Sequence, residues 1–170
     1  MEKEVYKGNI IRVTEEEIHG INWERAYTPD GVVVFPITKE GKIILIEESR
    51  PHENPPVRIK PVSGILEPEL GSPLENAQRE MQEEIGFKSM RMEPLWTLKG
   101  TGTINSSQYY FIAYDLVPSK LPNPDGEEAI LRQIELTPEE LLNQLKTDQL
   151  KWSLSTLGLF RLLLKLGTLS

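Results

Sequence analysis

The stretch Arg79-Glu80-Met81-Gln82-Glu83-Glu84-Ile85-Gly86-Phe87 crowds three carboxylates into five positions and closes on a glycine. Just upstream, Ser72-Pro73-Leu74-Glu75 has the form of a capping box with proline in the first turn, and Gly86 is a natural stop. The spacing therefore predicts a helix over about residues 73 to 85. At about 100° per residue, Leu74, Ala77, Met81 and Ile85 fall in one apolar stripe. Glu80, Glu83 and Glu84 share an adjoining sector roughly 100° wide. Such a helix can dock on a core and still present three carboxylates together. On an exposed surface this costs about 0.2–0.5 kcal/mol per like-charged pair three or four residues apart. A divalent cation would reverse the sign, because hard cations take carboxylate and phosphate oxygens as ligands. The competing reading is an ordinary solvated acidic face, partly neutralised by Arg79 and Lys88.

Outward from the helix, 170 residues are the size of one domain with one core. A charged fraction of 26% and a hydrophobic fraction of 38% argue against a disordered chain. The chain has no cysteine, which excludes a disulfide framework, a thiolate metal site and a cysteine nucleophile. A net charge of −7 with scattered basic residues gives no general attraction to nucleic acid. The opening MEKEVYKGNI lacks the apolar stretch of a signal peptide, and the most hydrophobic segment, Leu154 to Leu166, is short and interrupted by Arg161 and Lys165. The expectation is a cytoplasmic chain with no membrane span.

Residues 4 to 13 and about 21 to 28 read as two strands joined around EEEIHG. GVVVFPI at 31 to 37 and KIILIEE at 42 to 48 read as a hairpin across Lys39 to Gly41, with both strands covered on two faces. The segment from 50 to 62 reads as loop, since Pro51, Pro55 and Pro56 break helices and deny donors to a sheet. SQYYFIAYDLVP at 107 to 118 is the clearest later strand, and AILRQIEL reads as another. Two helices follow: TPEELLNQLK, with Thr137 as N-cap, and the leucine-rich WSLSTLGLFRLLLKLG. Strands with interspersed helices indicate an α/β or α+β sandwich.

Arg79 to Phe87 resembles, position by position, the second half of the Nudix box: Arg, Glu, apolar, any, Glu, Glu, any, Gly, apolar. From average residue usage such a string arises by chance on the order of 10⁻⁵ times in a chain this long. The first half departs from the pattern, which asks for Gly, five residues, Glu and seven residues before the Arg-Glu core. Counting from Gly64 or from Arg79 lands on Leu70 or Gly71, neither acidic, so GILEPELGS carries a one-residue insertion with Glu67 or Glu69 near the vacated place. In the family that first glutamate mainly supports the box arginine. More weakly, most of the chain resembles the ADP-ribose pyrophosphatase branch: a hairpin extension over residues 1 to 28, a Nudix core over 29 to 170, and KPVSG where that branch often has Leu-Pro-Ala-Gly.

The resemblance implies a single α/β/α sandwich with a mixed central sheet and an N-terminal antiparallel hairpin. It implies metal-dependent hydrolysis of a nucleoside diphosphate sugar, ADP-ribose or a relative, with Mg²⁺, or Mn²⁺, held by Glu80, Glu83, Glu84 and the carbonyl of Ser63. Arg79 would orient the box glutamates, and Glu127 or Glu128 in NPDGEEAI would supply the general base. Arg50 would contact phosphate, and Trp23 and Arg25 would contact the nucleotide across a homodimer interface. Two alternatives stand beside this: a non-catalytic Nudix nucleotide-binding module, or a Nudix enzyme acting on nucleoside triphosphates, dinucleoside polyphosphates or capped RNA. His19 and His52 belong to no metal-binding pair, and no Gly-x-Ser-x-Gly elbow is present.

Overall fold

A computed structural model describes residues 1–124, 129–147, 150 and 153–169. In chain order its elements are β1 (Lys3–Lys7), β2 (Arg12–Ile18), β3 (Ile21–Tyr27), β4 (Gly31–Pro36), β5 (Ile43–Ser49), β6 (Val57–Lys60) and β7 (Val62–Ile65). A short 3-10 turn, Pro68–Leu70, leads into α1 (Pro73–Glu84). Then come β8 (Phe87–Lys99), β9 (Ile104–Asn105), β10 (Ser107–Pro118), β11 (Ile130–Leu136), α2 (Pro138–Lys146) and α3 (Ser153–Lys165).

Three sheets form, ordered β1-β2-β3-β9, β7-β4-β10-β8 and β11-β5-β6. The second is mixed, since β10 runs parallel to β4 and antiparallel to β8. Its central strand β4 is buried at every residue because alternate side chains enter two cores. Val32 and Val34 pack with Ala77 and Met81 of α1 and with Ile85 at its C-cap, together with Ile44 and Ile46. Val33 and Phe35 pack on the opposite side with Leu141 of α2 and Leu159, Leu162 and Leu163 of α3. The result is the helix–sheet–helix sandwich that the sequence leads one to expect. Among the described residues no helix is long and apolar enough to cross a membrane.

Several local expectations are corrected. The strands expected to form a hairpin, β4 and β5, share only the isolated bridge Ile37–Ile43 among the described residues, and each is central in its own sheet. Double-sided apolar runs specify burial on both faces, not which strand lies alongside. The segment expected to be loop contains β6 and the first residue of β7, which pair with β5 and β4 respectively. Pro61 falls between these two strands, where no ladder donor is required. The first expected strand is two strands, turned where the Gly8 amide donates to the Ile11 carbonyl at 2.8 Å. The EEEI residues lie in β2, and the turn is His19-Gly20, both with positive φ (53° and 78°) as a tight hairpin turn requires. Leu74, assigned to the apolar stripe, is exposed, and β8 occupies a stretch to which the sequence reading gave no element.

Candidate active site

The acidic helix is set by its ends. Ser72 Oγ accepts from the Glu75 amide while the Glu75 carboxylate accepts from the Ser72 amide, so the capping box is closed in both directions. At the other end Gly86 has φ +74°, the left-handed conformation that glycine adopts without penalty. Asn76, fully buried, pins the preceding loop to this helix. Its Nδ2 donates to the carbonyls of Glu67, Gly71 and Ser72, each at 3.1 Å, and its Oδ1 accepts from the Glu67 amide at 3.1 Å.

Held in this way, Glu67 reaches Arg79: Glu67 Oε1 lies 2.8 Å from Arg79 Nη2. The same guanidinium spans Glu83 at 3.0 Å and Glu80 at 3.2 Å. An acid from the inserted loop therefore contacts the arginine that the vacated first glutamate was expected to support. Burial and the neighbouring charge of Glu84 push the Glu80 carboxyl up to about 7, with Arg79 opposing. Burial likewise raises Glu84, although Lys60 and the Ser63 amide favour its ionised form. Gly64 faces this pair; a side-chain carbon there would overlap the Glu80 carboxylate, so the close approach requires glycine.

A second charged group adjoins the helix. Lys60 Nζ donates to Glu84 Oε1 at 2.8 Å, to the Ser63 carbonyl at 3.1 Å and to Ser63 Oγ at 3.2 Å, and it lies 3.5 Å from Glu48. Glu48 also accepts two hydrogen bonds from Arg50, at 2.8 and 2.9 Å, and one from Arg58 at 2.9 Å. Burial alone would raise the Glu48 carboxyl, but Lys60 and the two arginines outweigh it and leave it below the ordinary range.

These groups line a cavity of about 460 Å³ that Glu80, Glu83, Glu84, Arg79, Arg50 and Ser63 all reach. A smaller cavity of about 260 Å³ shares Arg50, Lys60, Ser63 and Gly64 and continues to Asp30, Arg58 and Gln108. Six of the expected site residues thus come together. Trp23 and Arg25 do not join them; they line a different cavity of about 450 Å³ with Ile18, Ile21 and Thr103. Glu127 and Glu128 lie outside the described residues, while Asn123 and Pro124 line the carboxylate cavity.

Glu48, Arg58, Lys60 and Asn76 were not among the expected site residues. One signal was readable: in IILIEES, Glu48 continues the alternation of Ile44 and Ile46, both facing the α1 core, so period two carries an acid into a buried face. Lys60 stands opposite Ile46 in the β5–β6 ladder. Its segment had been assigned to loop, which concealed that register.

The donor set is hard oxygen throughout and suits a divalent cation in kind. Glu80, half-buried, and Glu84, buried, are neighbouring acids, and Mg²⁺ commonly takes one or two carboxylates, with substrate phosphates and water completing its shell. Among the described residues no three acidic groups close on a single point as a self-sufficient cage, because Arg79 and Lys60 already engage them.

The NUDIX domain model matches residues 27–156. A protein of Bacillus methanolicus named methanol dehydrogenase activator is 28% identical over 157 residues, covering 87% of this chain and 82% of its own. A crystal structure of an ADP compounds hydrolase superposes with a TM-score of 0.82 at 22% identity, covering 99% of this chain and 92% of that one, a likeness of fold. With the family model spanning most of its length and the box glutamates gathered on one cavity wall, the chain belongs to the Nudix family.

Proposed function

We propose that this chain is a single-domain Nudix hydrolase that cleaves the pyrophosphate bond of a nucleoside diphosphate sugar such as ADP-ribose. It would use Mg²⁺, with Mn²⁺ as the alternative, and work in the cytoplasm as a homodimer. One observation carries the reading: Glu80 and Glu84 lie side by side on the wall of a cavity that also holds Arg50, Lys60 and Arg79. That wall combines acids suited to cations with cations suited to a diphosphate. The adenylate portion of an ADP compound is supported by the structural likeness, and the hairpin cavity with Trp23 and Arg25 offers an aromatic face and a guanidinium for a base and ribose presented by a partner subunit.

The residues that would hold the metal are Glu80, Glu83, Glu84 and the Ser63 carbonyl. When bound, the metal would neutralise the diphosphate and lower the pKa of the attacking water. The chain's own groups supply the remainder. Arg79 holds Glu83 and Glu80 in place from one side while Glu67 and Asn76 hold Arg79 from the other. Arg50, fixed by two bonds to Glu48, presents its remaining edge to the cavity as a phosphate contact. Water adds to one phosphorus, the bond from that phosphorus to the bridging oxygen breaks, and that oxygen leaves on the other phosphate. The products are a nucleoside monophosphate and a sugar phosphate. Glu127 or Glu128 would take the water's proton; Pro124 lines the cavity, and the three or four residues from it to these acids span at most about 11 or 14 Å.

The test is turnover of ADP-ribose and a panel of nucleotide sugars, nucleoside triphosphates and dinucleoside polyphosphates with Mg²⁺. The expected products from ADP-ribose are AMP and ribose phosphate. A folded protein that binds nucleotide but turns over nothing in the panel sinks this reading. It would leave the second one, a nucleotide-binding module acting on another protein, which the relative named as an activator favours.

A further inference from the structure

Lys60 is a buried lysine whose three N–H donors are all used inside the protein, on Glu84 Oε1, the Ser63 carbonyl and Ser63 Oγ. Glu48, also within ion-pair distance of Lys60, is held in addition by three hydrogen bonds from Arg50 and Arg58, whereas Glu84 has Lys60 as its only cationic hydrogen-bond donor among the described residues. Lys60 lies between both acids and donates its carboxylate hydrogen bond to Glu84. Two of its acceptors, the Glu84 carboxylate and the Ser63 carbonyl, are the oxygens assigned above to a divalent ion. An ammonium at hydrogen-bond distance and a divalent cation compete for the same oxygens, because they repel each other at that range and each draws on the same lone pairs.

Resting on the hydrolase reading above, we infer that Lys60 is a resident cation that competes with divalent metal for Glu84 and Ser63 and so sets the metal affinity of this half of the site. The tethered ammonium keeps Glu84 and the Ser63 carbonyl engaged in the metal-free protein. A divalent ion takes them only by displacing it, and the displaced ammonium then faces the cavity that both charged walls share. Glu80, which meets Arg79 at 3.2 Å and makes no hydrogen bond to Lys60 among the described residues, stands outside that competition. Lys60 is thus a positioning residue, and it distinguishes the two acids that the sequence motif treats alike.

The experiment is a Mn²⁺ titration of metal-free wild type and Lys60→Met, following free Mn²⁺ by its paramagnetic resonance, with no nucleotide present. The expected result is an added ion per chain in the variant, or Mn²⁺ binding tighter on the order of tenfold. A lysine of purely structural importance would leave affinity unchanged or weaken it on removal, and either result in a folded variant overturns the inference. If Lys60→Met does not fold, the wild type answers alone. With ¹⁵N-lysine labelling, the slowly exchanging Lys60 ammonium resonance should be lost on saturation with Mg²⁺, and its persistence overturns the inference. Mn²⁺-dependent turnover with equal affinity in both proteins removes this inference alone; no Mn²⁺ binding and no turnover in either removes the hydrolase reading with it.

Discussion

The carboxylate cavity and the N-terminal sheet satisfy themselves in opposite ways. Around the cavity, Glu48, Glu67, Glu80, Glu83 and Glu84 each meet a lysine or arginine of the same chain. On the sheet of β1, β2, β3 and β9, Val5, Tyr6, Ile18, Ile21, Trp23 and Ile104 are exposed, and β1 is exposed along its whole length. In one region every one of these acids meets a cation of the same chain. The other leaves apolar area uncovered that would gain about 25 cal/mol per Å² on burial. The contrast sets two costs side by side: a buried ion lattice is costly to form because its charges lose water, while an exposed apolar sheet surface is costly for as long as nothing covers it.

The largest expected effect attacks the cavity. Glu80→Gln should lower turnover of the preferred nucleotide sugar by about 10³-fold, measured at saturating Mg²⁺, with the fold intact by circular dichroism. The same variant should be more stable than wild type when metal-free at pH 8, which separates a functional acid from a structural one. The sign follows from the raised carboxyl. With a folded value of about 7 against an ordinary 4.5, Glu80 binds its proton more tightly folded than unfolded. Its contribution is therefore complete below the ordinary range and is lost as pH rises through about 7. Metal-free wild type should lose melting temperature across that window and Glu80→Gln should lose less; parallel curves would contradict the assignment.

Next in size is Glu48→Gln, which removes the charge common to Arg50, Arg58 and Lys60. Breaking such a buried lattice should cost about 3 kcal/mol in urea unfolding, because it strands cations instead of merely deleting a contact. A loss under about 1 kcal/mol would mean that the lattice behaves like a surface one.

On the sheet side, Trp23→Asp should raise the dimer dissociation constant by on the order of 30-fold, as loss of an aromatic anchor does, with monomer folding unchanged. Light scattering across a concentration series checks it. A monomeric wild type at all concentrations would show that the exposed face serves something other than a second copy.

What the sequence disclosed follows the range of each interaction. The α1 helix was legible to within one residue at its C-terminal end because caps, stripe and stop are all local, encoded in Ser72, Glu75, Met81 and Gly86. The sandwich was legible because Val32 to Phe35 can be buried on both faces only between two helical layers. Strand partnership was not, since β5 pairs with β11 across more than eighty residues of chain and no local pattern names that partner. In the site, the box acids announced themselves by spacing. Arg79, which engages Glu80 and Glu83, announced itself in the same motif, and Glu67 was one of two acids in the insertion; Lys60 did not, because it sits in a proline-bounded segment that reads as loop. Glu48 lay in plain alternation with Ile44 and Ile46, and an acid on a buried face is the pattern that deserved weight.

The smallest effect sharpens the contrast most directly. Lys3 Nζ lies 3.0 Å from Glu15 on the N-terminal sheet, almost the separation of Lys60 from Glu84 at 2.8 Å, yet in the first pair Lys3 is exposed and Glu15 half-exposed, while both members of the second are buried. Distance alone would rank them as equals. In water the Lys3 pair gains little Coulomb energy and gives up side-chain freedom to form, so Lys3→Ala should cost no more than about 0.5 kcal/mol, and added salt should erase the difference. Urea midpoints at low and high ionic strength measure it. If Lys3→Ala proved as costly as Glu48→Gln, burial would not be what separates the two regions, and the N-terminal sheet would have to be covered already in the state being unfolded.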